Sequence, residues 1–156
     1  HTNDRRQRQM CIRDRGTLAT QFLMAERSDI PAFSLDSPVF DFEEIVKSEL
    51  KWKGIPPIIW RLAVFMGKLH GIDIYEKSPK DGIKRIGDRA IMVMHGTDDT
   101  RVPFLHSERL VKFASSFGKE VKFVVNYDSD HNEALLKEPE VIRENLVKFF
   151  QKNLIN

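Results

Sequence analysis

An α/β fold, three parallel strands flanked by helices, is predicted here by three observations. Short apolar runs alternate with amphipathic segments along the chain. One run, Ala90 to Met94, is apolar without interruption, as expected of a strand covered on both faces of a parallel sheet. The connections between runs are also too long for hairpins, which favours right-handed parallel crossovers and a three-layer architecture.

Each element has its own signature. Residues 1–15, HTNDRRQRQMCIRDR, carry five arginines and no period of 2 or 3.6. They are expected to be foreign to the domain or disordered, which leaves 16–156 as the folded unit. Thr17 to Glu26 has helical periodicity. A strand is expected at about Ala32 to Leu35, broken at Ser37-Pro38. Asp41 and Glu44 have the spacing of a helix cap and its reciprocal partner, opening a helix with Phe42, Ile45, Val46 and Leu50 inward. Gly54, Pro56 and Pro57 stop it, and Pro57 opens a second helix that Gly71 closes. A short third helix has Ser78 as cap and Pro79 at its first position.

Beyond the strand at Ala90 to Met94, Pro103 opens a helix to Phe117 with Leu110, Phe113, Ala114 and Phe117 inward. Val121 to Asn126 is the third strand. Pro139 opens a last helix carrying Val141, Ile142, Leu146 and Phe150. With no strand predicted ahead of the first helix, the edge at Ala32 to Leu35 is expected to be uncovered and prone to self-association.

The totals narrow the function. At 156 residues the chain is one domain in length, and its net charge of +2 gives no sign of a nucleic-acid or membrane partner. One cysteine, Cys11, excludes an internal disulfide and a thiolate-rich metal cluster. No run reaches the ~20 apolar residues of a membrane span. No histidines and carboxylates have metal-ligand spacing, so neither a metal nor a cofactor is expected.

Ligands of open parallel sheets bind beyond the carboxyl ends of the strands. Three polar loops fall there: DSP after the first strand, HGTDDTRVP after the second and YDSDHNEAL after the third. Asp99 and His131 therefore emerge from the same end of neighbouring strands. A carboxylate that accepts from the imidazole Nδ1–H fixes its tautomer and frees Nε2 to take a nucleophile's proton.

With these residues the chain resembles the α/β-hydrolase family, and within it the serine peptidase and esterase branch related to prolyl oligopeptidases. That family's acid loop, H-G-x-x-D-x-x-V-P, is matched at His95, Gly96, Asp99, Val102 and Pro103, and its histidine is matched by His131. LDSPV resembles the stretch beyond its sixth strand. The resemblance covers about residues 16–153 and implies the C-terminal portion of an α/β-hydrolase fold. It also implies Asp99 as catalytic acid, with Asp98 the adjacent competitor, and His131 as catalytic base. His95 is expected to hold the turn by hydrogen bonds.

Two departures stand out. The family's nucleophile sits in G-x-S-x-G, and this sequence contains none. If Gly16 closes a G-x-S-x-G-G run, Arg13 stands in the serine's place. The nearest imitation, ASSFG at Ala114 to Gly118, points to a helix-end serine at Ser116. Asp130 stands where the family commonly has glycine, a change expected to reshape the loop or raise the His131 pKa.

The expected activity is thus that of a parent serine hydrolase acting on a small-molecule ester or peptide substrate, with no nucleophile in this chain. The alternative is a nucleophile-free binding or scaffolding relative of the hydrolases. A third option is an unrelated α/β domain in which both loops are only structural. Peptidase, esterase and thioesterase chemistry share the geometry. The helices at about 41–86 lie where the family places covering elements. Trp52, Ile55, Ile58, Trp60, Phe65 and Met66 there either pack on the sheet or line an apolar pocket. His70 and His106 are expected at the surface or partly buried.

Overall fold

The computed structural model describes residues 15–56, 58–71, 79–131 and 133–154. The expectations placed on Cys11, Arg13, Pro57 and Ser78 lie outside these residues. In chain order the elements are α1 (Arg15–Glu26), β1 (Ala32–Asp36), α2 (Phe42–Trp52), α3 (Ile58–Leu69) and α4 (Pro79–Arg85). There follow β2 (Ala90–Gly96), α5 (Leu105–Ser116), β3 (Val121–Asn126), α6 (Ala134–Lys137) and α7 (Pro139–Leu154).

The sheet runs β1-β2-β3 with every pairing parallel. Leu35 stands opposite Val93, and His95 opposite Val125. Side chains alternate across a strand. Phe33, Leu35, Ile91 and Val93 therefore point to one face, where they meet Met24, Ile83, Leu110 and Ala114 from α1, α4 and α5. Ala32, Met92 and Met94 point to the other and meet Ala134, Ile142 and Phe149 from α6 and α7. Both faces are covered, so β2 tolerates no polar residue before its last turn. Among the described residues β1 pairs only with β2, leaving its outer edge open as expected.

The layers are tied by specific close contacts. α1 lies against α4 so tightly that a Cβ on Gly82 would stand 1.8 Å from the Gln21 carbonyl oxygen. The Arg89 guanidinium donates to the Met24 carbonyl at 2.6 Å and to that of Arg27, capping the end of α1. At the other end of α1, the Thr17 hydroxyl donates to the Asp36 carbonyl at 2.9 Å, so this helix begins at the carboxyl end of β1.

Several expected inward positions are not buried. α2 is capped by Asp41, whose Oδ1 accepts from the backbone N–H groups of Glu43 and Glu44. Even so, α2 buries none of its residues, and Phe42 is exposed. α3 buries none either, which overturns packing on the sheet as the role of Trp52, Ile58, Phe65 and Met66, all exposed, while Ile55 and Trp60 are half-buried. Phe117, the residue that follows α5, and Val141 in the first turn of α7 are exposed. Phe149 takes the buried position in α7.

Candidate active site

The site is assembled from loop ends. After β1 the chain turns at Ser37, a buried residue held in the left-handed region at φ 47°, where a side chain costs energy. Its N–H donates to the Met94 carbonyl at 2.9 Å, fixing the β1 loop against β2. After β2 the chain turns at Gly96, where a Cβ would lie 2.2 Å from the Ser129 carbonyl oxygen. The loops after β2 and β3 approach so closely that only glycine fits between them. Asp98 N–H donates to Ser129 O at 3.1 Å, and Thr97 N–H donates to Asn126 O at 3.0 Å.

This lacing brings Asp99 and His131 together. His131 Nδ1 lies 2.7 Å from Asp99 Oδ2. The Asp99 side chain is fully buried and the His131 ring is 10% exposed. Asp98 is exposed and turned away, its Oδ1 accepting from the Thr97 hydroxyl at 3.2 Å. Of the two aspartates, only Asp99 faces the imidazole.

Every acceptor position of Asp99 is used. Oδ1 accepts from the N–H groups of Arg101 at 2.9 Å and Val102 at 2.7 Å. Oδ2 faces His131 and also His95 Nε2 at 3.1 Å. Burial alone would raise the Asp99 pKa. Hydrogen bonds from His131, His95, Val102 and Ser37 outweigh it and hold the carboxyl well below the usual carboxylate range. Asp36 contrasts with it: burial pushes its pKa up, against the attraction of His95 and His131.

His95 is fully buried, and its tautomer follows from its neighbours. A carbonyl can only accept, so Nε2–H donates to Val102 O at 2.9 Å, with Asp99 Oδ2 beside it. Nδ1 then accepts from the Ser107 hydroxyl at 2.5 Å. His95 thus ties the acid loop to the first turn of α5, as its place in the turn suggested.

Asp130 links the third loop to the second. Its Oδ1 accepts from Thr100 N–H at 2.8 Å, the Thr100 hydroxyl at 3.0 Å and His131 N–H at 2.7 Å. These bonds to Thr100 and His131 N–H hold its own pKa down. Glu133 Oε2 accepts from Asp130 N–H at 3.0 Å and pairs with Lys137.

Residues not expected to act are held by other partners. The Ser116 hydroxyl donates to Phe113 O at 2.7 Å, the bond of a helix-end serine. His106 is buried rather than at the surface. Its Nδ1 accepts from Phe40 N–H at 3.2 Å, and burial lowers its pKa. Ser37, Thr100 and Ser107 carried no motif of their own, and only their partners reveal them. Among the described residues no group of three His, Cys, Asp or Glu side chains is placed to hold a metal ion.

Comparison with known proteins bears on the fold and the family. Similar solved structures include an acylaminoacyl peptidase of Pyrococcus horikoshii, at TM-score 0.65 and 14% identity over 90% of this chain. An esterase of Pyrococcus furiosus matches at TM-score 0.64 and 15% identity over 89%, and dipeptidyl peptidase 4 of Porphyromonas gingivalis at 0.64 and 14% over 89%. The chain spans 23% of the first, 51% of the esterase and 18% of the third. No curated protein sequence matched. The fold is the C-terminal portion of an α/β-hydrolase, and the profile of the prolyl oligopeptidase family matches residues 61–156. Since that match takes in well over half of its residues, the chain belongs to the prolyl oligopeptidase family.

Proposed function

We propose that the chain is the C-terminal part of a serine hydrolase that cleaves ester or amide bonds, with Asp99 as its acid and His131 as its base. The observation carrying this reading is the 2.7 Å approach of His131 Nδ1 to a buried, fully hydrogen-bonded Asp99. An imidazole held this way keeps its proton on Nδ1 and presents Nε2 to a nucleophile.

In the parent, a serine ahead of α1 would attack the substrate carbonyl while His131 Nε2 takes its proton. Asp99 stabilises the imidazolium. The proton then passes to the leaving group, an acyl-enzyme forms, and water hydrolyses it by the same route. Residues 16–156 are the domain part, with about 41–86 its covering segment. The upstream strand would add at the open edge of β1, the same edge through which the isolated chain would self-associate.

A fluorophosphonate serine probe tests the assignment. This chain should not be labelled, while the longer parent should be, and Asp99→Asn in the parent should lower kcat by about 10⁴-fold. Stoichiometric labelling of the present chain sinks the proposal. An upstream coding sequence without G-x-S-x-G points instead to a scaffolding relative.

A further inference from the structure

The net charge of +2 conceals a local concentration. Residues 47–71 hold five basic residues and one acidic, a net +4, so the remainder of the chain is net acidic. Within the same stretch, Lys51-Trp52-Lys53 ends α2, with Trp52 82% exposed.

α3 supplies the rest of the surface. At 100° per residue, Ile58, Ile59, Leu62, Phe65, Met66 and Leu69 fall on one stripe about 120° wide. All six are exposed. The opposite side, with Trp60 and Val64, turns inward, where Trp60 meets Phe42 edge-on at 6.3 Å. The only charged residues of α3 are Arg61 and Lys68, both along one edge of the stripe. Lys51 and Lys47, the latter paired with Glu43 at 2.6 Å, line an adjacent groove of about 480 Å³ together with Ile55 and Pro56.

We propose that the α2–α3 hairpin docks on an anionic lipid surface. An apolar stripe bordered by basic residues, with a tryptophan between lysines at its tip, fits the boundary between headgroups and acyl chains. A second protein would cover the stripe equally well, but the purely basic border of α3 matches a surface of one sign. No helix among the described residues is long and apolar enough to cross a membrane, so the contact is in the interface plane.

The test is flotation of the full chain with vesicles of phosphatidylcholine, with and without phosphatidylserine. Trp60→Phe leaves Trp52 as the sole indole reporter. The chain should float only with phosphatidylserine vesicles, and Trp52 emission should shift to the blue. Each basic residue near such a surface strengthens binding about fivefold, so Lys51→Glu with Lys53→Glu should weaken it roughly 30-fold or more. Leu62→Ser with Phe65→Ser should abolish it while circular dichroism stays that of the parent chain. Failure of the folded chain to float overturns the proposal, as does equal flotation with neutral vesicles. A dimer that loses its contact in Leu62→Ser/Phe65→Ser and ignores vesicles assigns the face to a second copy. Loss of flotation in the longer parent assigns it to the rest of the domain.

Discussion

Replacing Asp99 with asparagine isolates the charge of the site from its shape. The amide oxygen can still accept from the N–H groups of Arg101 and Val102, so the turn keeps its two backbone bonds. The amide NH₂ then stands where Oδ2 faced His131 Nδ1 at 2.7 Å and His95 Nε2 at 3.1 Å. His131 can recover by moving its proton to Nε2, at the loss of one charge-assisted bond. His95 cannot recover in the same way, because its Nε2–H also serves Val102 O and its Nδ1 accepts from Ser107. A bond to a buried charge contributes about 1.5–3 kcal/mol, and an unpaired buried donor costs about 1–3 kcal/mol. Together these give a loss of about 2.5–6 kcal/mol at neutral pH.

For a domain of this size that is a fall in Tm of roughly 8–18 °C, measurable by calorimetry or urea denaturation. The sign with pH is also set. The folded pKa of Asp99 lies below its ordinary 3.8, so its contribution is complete above that value and fades as pH falls further. The gap between parent and variant should be flat above pH about 5 and narrow in acid. Long-range ¹H–¹⁵N spectra should show the His131 proton moving from Nδ1 to Nε2. An unchanged Tm together with an unchanged His131 tautomer would refute the coupling described here.

Three further outcomes follow from named contacts. Gly96→Ala places a methyl 2.2 Å from backbone that cannot swing aside, and should cost about 3 kcal/mol in urea titrations. His106 has a folded pKa below 6.5, so stability should decline as pH drops beneath that value; His106→Gln should flatten this limb of the stability–pH curve. Asp130→Gly removes the bonds to Thr100 and to His131 N–H, and should speed amide exchange at both residues with little change in far-ultraviolet dichroism.

The strands and their order were legible because burial on both faces writes an uninterrupted apolar run, and proline and glycine mark most helix ends. The approach of Asp99 to His131 was legible because strand ends converge and the loop after β2 has a recognisable spelling. The place of Phe42 in α2 was misread for a physical reason: periodicity reports that a helix has an apolar side, and says nothing of what that side meets. Ser107 escaped notice because its role depends on a histidine twelve residues earlier, a spacing that no helix or strand period singles out. His106 escaped because its partner is a backbone N–H contributed from Phe40.

Asp130 joins these two levels of reading. By resemblance it is a departure, a carboxylate where glycine is usual, and by itself it argues against the assignment of His131. In the fold that carboxylate is the knot between two loops, accepting from Thr100 beside Asp99 and from the N–H of His131 itself. A bond from the loop of Asp99 to the backbone of His131 narrows the set of arrangements the pair can explore, which an orienting pair of the proposed kind would require. The departure therefore changes the means by which the third loop is held and leaves the partnership of Asp99 with His131 in place. Asp130→Gly separates these possibilities: an unchanged Nδ1 proton on His131 with looser loops supports a clamp, whereas loss of that proton makes Asp130 part of the pair's own hydrogen bonding.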